Sequence, residues 1–212
     1  NRLDEIEQIR GLYTPLQLGL AAAFACAAFT FLLGGGPIEM LCAFIGAGIG
    51  NFLRCHLIKR HFTLYLCVIS SVALACLSYI VSLRLIDTIF TLSGNHEAGY
   101  ICAMLFIIPG FPFITSGIDL AKLDMRSGLE RLAYAVIIVV TATITGWVMS
   151  TLLGLQPADF EALAIPSGLH LVLRLAASFV GVFGFSIMFN SPVSIAASAA
   201  VIGAVANTLR QE

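Results

Sequence analysis

Apolar residues run along this chain in blocks of about 20, the length a helix needs to cross a hydrocarbon core, with short polar stretches between them. Blocks at 15–33, 38–57, 63–83, 98–118, 132–153, 170–189 and 192–209 predict seven membrane helices. Ahead of them, Leu3, Ile6, Ile9 and Leu12 recur every third residue among charges and predict an amphipathic juxtamembrane helix over 1–14. Gly34-Gly35-Gly36-Pro37 predicts a tight turn between the first two blocks, and 154–169, with Pro157 and Pro166, is the longest linker.

The chain also matches itself. Sliding 15–37 onto 170–192 pairs Leu16 with Leu171, Phe24 with Phe179 and Pro37 with Pro192; after one residue of slip, Asn51, Leu53 and Arg54 pair with Asn207, Leu209 and Arg210. Leu and Ala matches are common between apolar helices, so the Asn-x-Leu-Arg ending and the turn proline carry the comparison. The copies are offset by five helices, an odd number, so they enter the membrane from opposite sides. The expected fold is therefore an all-α integral membrane protein: a five-helix unit over 15–153, the linker, and at 170–212 the first two helices of a second, inverted repeat. Inverted repeats are the architecture of alternating access around a midplane site. The missing helices of the second repeat are expected from a downstream half or a partner subunit, and the start at Asn1 reads as a trimmed piece of a longer protein.

Composition narrows the class. With 59% hydrophobic residues, 11% charged and a mean hydropathy of +0.98, the chain is a membrane protein rather than a soluble domain. A net charge of -1 without a dense basic run gives no case for nucleic acid. Six cysteines without a CxxC read as packing residues, and His56, His61, His96 and His170 read as interfacial, so neither a metal site nor a cofactor is expected. With the N-terminus in the cytoplasm, eight of the 11 Lys and Arg fall on the cytoplasmic side, the distribution of the positive-inside rule. HExxH, GxSxG and paired intramembrane aspartates are all lacking, so nothing points to an intramembrane enzyme.

Candidate chemistry gathers in the fourth block. Pro109, Gly110 and Pro112 interrupt it near its middle, and Thr115, Ser116 and Asp119 follow. Proline lacks an N–H, so the carbonyls of Leu105 and Ile108 are expected to lose their helical donors, and lipid offers no replacement. A broken helix of this kind is how many transporters build a site for substrate or ion; a kink that only shapes packing is the plainer reading. Asp119 suits a substrate ammonium or a coupling proton, or else a surface pair with Lys122. Thr115 and Ser116 offer hydroxyls to a polar substrate or back to their own helix. Ser127 and Glu130 read as a capping box for the fifth helix. Asn51 and Arg54 share one face of the second helix and suggest a gate, mirrored by Asn207 and Arg210, while Gly46 and Gly50 suggest close helix packing.

Pro109-Gly110-Phe111-Pro112, Asp119 seven residues after the second proline, and Gly128-Leu129-Glu130-Arg131 together resemble the signature of the threonine/serine exporter family. The resemblance implies a secondary transporter of the bacterial inner membrane that exports threonine, serine or a similar small solute and is driven by the proton gradient. It also implies places in the site for Asp119 and Arg131, the latter able to pair with Asp119 or Asp124 in one gate state. Some relatives are split into two polypeptides associated with dicarboxylate export, a reading that calls for a basic group in the cavity, Arg54 or Arg131.

Overall fold

The computed structural model describes residues 11–90, 96–155, 160 and 166–210, and among them all regular structure is helical. The helices are α1 (Pro15–Leu32), α2 (Pro37–Lys59), α3 (Leu64–Phe90), the short α4 (Tyr100–Ala103) between 3-10 turns at Glu97–Gly99 and Leu105–Ile107, α5 (Gly110–Ala121), α6 (Met125–Leu153), α7 (Ser167–Met188) and α8 (Val193–Arg210). Six are long and apolar enough to cross a membrane, and the pair Glu97–Ile107 plus Gly110–Ala121, bent by 51°, makes a seventh span if it crosses as one. Of the juxtamembrane helix expected over 1–14, residues 1–10 lie outside the described residues, and 11–14 are not helical. Thr14 instead caps α1, its side chain accepting from Gln17 N–H while the Gln17 side chain accepts from Thr14 N–H.

Topology follows from which ends touch. At the start of α1, Leu12 N–H donates to Asn190 Oδ1 at 2.8 Å and Tyr13 OH to the Ser191 carbonyl at 2.8 Å, just past the end of α7. At the end of α1, the Phe31 ring lies 6.0 Å from His170, at the start of α7. The two helices are therefore antiparallel. Gly184 makes their approach close, since a Cβ there would meet the Ala21 carbonyl at 2.6 Å. An antiparallel α7 requires an even number of crossings between α1 and α7, which α2, α3, the bent segment and α6 supply as four. The bent segment thus counts as one crossing, giving seven in all.

The two hairpins, α1–α2 and α7–α8, differ from the sequence alignment in one respect. Helix ends Leu32 and Met188, left-handed turn residues Gly34 (φ 100) and Asn190 (φ 62), and helix starts Pro37 and Val193 all keep the spacing that relates Asn51 to Asn207. A single register covers both hairpins. The match of Pro37 with Pro192 is off by one, because Pro37 is the first residue of α2 whereas Pro192 precedes α8 and accepts from Ala196 N–H at 2.9 Å.

The core is made of small side chains. Ala22, Cys26, Ala43, Ala47, Ala75 and Cys76 are fully buried where α1, α2 and α3 meet, while Leu16, Leu20, Phe24, Ile69 and Val81 point outward to the lipid. Apolar groups gain nothing by leaving lipid for protein, so close backbone approach must hold the helices together. A Cβ on Gly46 would meet the Ala75 carbonyl at 2.8 Å, and one on Gly50 would meet the Phe106 ring at 2.9 Å. All six cysteines are free thiols, five of them buried.

Candidate functional site

The helix break is a tight turn rather than a row of freed carbonyls. Ile108 is extended, and Pro109, at φ -83 and ψ 60, sits in an inverse γ-turn in which Gly110 N–H donates to the Ile108 carbonyl at 2.9 Å. Ile108 N–H donates in turn to the Leu105 carbonyl at 3.1 Å. Both carbonyls expected to be orphaned are therefore satisfied locally. The break redirects the chain so that residues 106–112 form one wall of a cavity of about 950 Å³.

That cavity opens at the end of the molecule where α1 begins and α2 and α7 end. Its other walls come from Leu12 to Thr14 and Leu18, from Asn51, Arg54 and Lys59 of α2, from Tyr134 and Ile138 of α6, and from Met188 to Asn190. Asn51 and Arg54 lie one helical turn apart, and their side chains have separate tasks. Asn51 is buried and donates from Nδ2 to the Leu18 carbonyl at 2.8 Å, tying α2 to α1. Arg54 is half-buried in the wall and has no hydrogen-bond or ion-pair partner among the described residues. A guanidinium withdrawn from bulk water without a carboxylate is costly, so an arginine left in this state calls for an anion. Lys59 is the second cation of the lining, and among the described residues no Asp or Glu belongs to it.

The remaining candidates lie elsewhere, in a clamp between α5 and α6. Ser116 is buried and donates to the Gly128 carbonyl at 2.9 Å. Gly128 allows that approach, since a Cβ there would come within 2.7 Å of the Leu120 side chain and 3.1 Å of the Leu120 amide nitrogen. One turn on, Arg131 Nη1 reaches Asp119 Oδ2 at 3.2 Å. The contact is an ion pair too misaligned to be a hydrogen bond, so that buried oxygen lacks a donor. Thr115 donates back to the Phe111 carbonyl at 3.0 Å and the Pro112 carbonyl at 3.2 Å, within its own helix. The cap of α6 is Asp124, which accepts from Ser127 N–H at 3.3 Å, so the capping box expected from Ser127 and Glu130 starts three residues too late; Glu130 pairs with Arg126 instead. Asn207 donates to Ser178 Oγ at 2.8 Å, and Arg210 to Asn207. Because the hairpins are antiparallel, Arg54 and Arg210 stand at opposite mouths, and the structure does not bring them together.

Over residues 1–154 the chain matches the family described as "Putative threonine/serine exporter". The chain belongs to this family. It is also 27% identical over 158 residues to a protein of Escherichia coli (strain K12) titled "Probable succinate transporter subunit YjjP". That match covers 73% of the present chain and 58% of the relative, so the chain spans less than two thirds of the relative's length. No solved structure matches it. Together with the helices long enough to span a membrane, these likenesses make it a multi-pass membrane protein of a transporter family.

Sequence reasoning overlooked the opposite mouth, where Glu39, in the first turn of α2, is buried against His96. A signal was present: Glu39 is the sole acidic residue between Glu7 and Asp87, and an acid inside an apolar span is rarely idle.

Proposed function

We propose that this protein is the substrate-binding half of a secondary transporter that exports small carboxylate-bearing solutes by alternating access, with Arg54 as the carboxylate anchor. Arg54, in the wall of the cavity and without a partner among the described residues, carries this reading. The α5 helix begins at Gly110, between the lining residues Pro109 and Phe111, so the positive end of its dipole adds to the field of Arg54 and Lys59. With the N-terminus in the cytoplasm of a bacterial inner membrane, as the charge distribution favours, the cavity opens inward and loads from the cell, with the proton gradient driving export. The antiparallel hairpins support an inverted repeat. We take the helices that complete it to come from further sequence or a partner subunit.

Threonine and serine, the solutes in the family's description, place one carboxylate on Arg54. Their ammonium then needs an acceptor, and the described lining residues supply neutral oxygens, such as those of Thr14 and Asn190, rather than a carboxylate. A dicarboxylate is the second reading, favoured by the two cations Arg54 and Lys59 in a lining whose described residues include no Asp or Glu. Counterflow in proteoliposomes containing the complete transporter decides between them: radiolabelled serine, threonine and succinate are each tested against an interior loaded with the same solute. Exchange of the amino acids alone assigns the first reading, and exchange of succinate alone assigns the second. Exchange of none of the three, by protein shown to be folded, removes the carboxylate-transport proposal.

A further inference from the structure

At the mouth opposite the Arg54 cavity, Glu39 lies in the first turn of α2 with its side chain 8% exposed. One carboxylate oxygen, Oε1, is 2.7 Å from His96 Nδ1, and the imidazole is itself only 16% exposed. The other, Oε2, is buried and has no hydrogen-bond partner among the described residues. Tyr79 OH of α3 donates to the His96 carbonyl at 2.6 Å and fixes the segment that carries the imidazole. Gly36, preceding α2, leaves the unpartnered oxygen uncrowded: a Cβ there would stand 2.9 Å from Oε2. Two other groups that can ionise, the thiols of Cys42 and Cys102, are within electrostatic reach of Glu39, and Arg84 pairs with Glu97 at 3.8 Å beside His96. No cation other than a protonated His96 contacts the Glu39 carboxylate among the described residues.

A helix staple would need only the Oε1 contact. It does not call for a second carboxylate oxygen held out of water without a donor, since an unsatisfied buried acceptor costs stability. Such an oxygen is a vacant place for a proton, and carboxylates and imidazoles are the groups that relay protons in membrane pumps and transporters. We infer that Glu39 and His96 form a proton-binding site at the mouth opposite the substrate cavity, loaded from the outer aqueous phase. One proton adds to Oε2 and forms an O–H bond, while His96 Nδ1–H keeps donating to Oε1. The carboxylate goes from one negative charge to none, and no electrons move. Release of that proton after the transporter has turned over returns the negative charge. The inference rests on the transporter reading above and adds to it where the coupling proton binds.

The test compares Glu39→Gln, which keeps the shape and removes the titration, with Tyr79→Phe, which loosens the same segment and leaves the pair able to titrate. In the complete transporter, whichever of serine, threonine and succinate is exchanged is followed by gradient-driven export and by counterflow. Expected for Glu39→Gln is at least a tenfold loss of gradient-driven export with counterflow within about twofold of the unmodified protein, because exchange needs no net proton movement. Tyr79→Phe is expected to lower both together or neither. Equal losses of both activities in Glu39→Gln make the pair a staple and overturn the inference, as does unchanged gradient-driven export. A second measurement does not depend on the substrate: maleimide labelling of Cys55, in the wall of the cavity at the far end of α2, while the outer medium is acidified by about two pH units. Relative to Glu39→Gln under the same acidification, which cancels the intrinsic pH dependence of the thiol, the unmodified protein is expected to change its labelling rate at least threefold. Identical responses overturn the proton site even if none of the three solutes is transported.

Discussion

The two ends of α2 are built from opposite chemistry. At the Arg54 end a cation without a partner among the described residues faces an open cavity; at the Glu39 end an acid is buried against a histidine in a closed contact. Fifteen residues of helix, about 22 Å, separate them. Between them Gly46 and Gly50 press α2 against α3 and the Phe106 ring, so that α2 is a stiff rod with a site at each end. On the function and the proton site proposed above, one helix carries a site for an anion at one mouth and a site for a proton at the other, and whatever tilts it changes access to both. In alternating access that is an economical form of coupling, because loading one end biases the position of the other.

The sharpest way to break this comparison is at the cation. Arg54→Gln is expected to lower substrate affinity by about 10- to 100-fold, corresponding to ~1.5–3 kcal/mol for a hydrogen bond to a charged group. Arg54→Lys is expected to recover only part of the loss, since an ammonium keeps the charge without the two-pronged geometry. Scintillation-proximity binding with the radiolabelled solute reads both. Unchanged binding in Arg54→Gln would mean that the cavity does not use its cation and that the two ends of α2 do not differ in the way described.

The rod itself gives the next largest effect. Gly46→Ala places a methyl group against the Ala75 carbonyl at 2.8 Å and Ala103 Cβ at 3.1 Å. A backbone oxygen cannot rotate aside, so α2 and α3 must separate, at about 1–3 kcal/mol of stability. A Cβ on Gly110 meets nothing within 4 Å, so Gly110→Ala is the matched control and is expected to unfold with the unmodified protein to within about 0.5 kcal/mol. Thermal unfolding in detergent, followed by circular dichroism, compares them. Equal midpoints would show that α2 is not clamped at its middle.

Much of this architecture was readable from the chain because lipid imposes strict rules on it. The apolar blocks had to be about 20 residues long, and the prolines in the fourth block had to mark a bend, so both appear where expected. Less visible was how the bend satisfies its backbone: the γ-turn at Pro109 depends on a pair of dihedral angles, and the proline spacing alone predicts only lost donors. The family signature was readable as a string but not as a geometry. Pro109 and Pro112 line the cavity, whereas Asp119, Gly128 and Arg131 zip α5 to α6, and only a contact across 12 residues of chain, Ser116 to Gly128, reveals the division. Glu39 escaped notice for a related reason. An acid in the first turn of a helix has a local explanation in the helix dipole, and its histidine partner lies 57 residues away.

The smallest expected effect tests whether the acid at the far end of α2 is the right acid. Asp119 was the leading candidate for proton coupling in the sequence, and it too has a buried carboxylate oxygen without a donor. It differs from Glu39 in its partner: Arg131 is 52% exposed, and a pair with one side in solvent contributes about 0–1 kcal/mol. Asp119 also stands outside the cavity lining, joined to α6. Asp119→Asn is therefore expected to lower stability by less than ~1 kcal/mol and to keep gradient-driven export within about threefold of the unmodified protein. Charge reversal of the pair, Asp119→Arg with Arg131→Asp, is expected to restore what the single change loses, as a clamp requires and a proton carrier does not allow. If Asp119→Asn instead abolishes gradient-driven export while counterflow persists, the coupling proton belongs to α5, and the contrast between the ends of α2 reduces to an anion site at one end and a staple at the other.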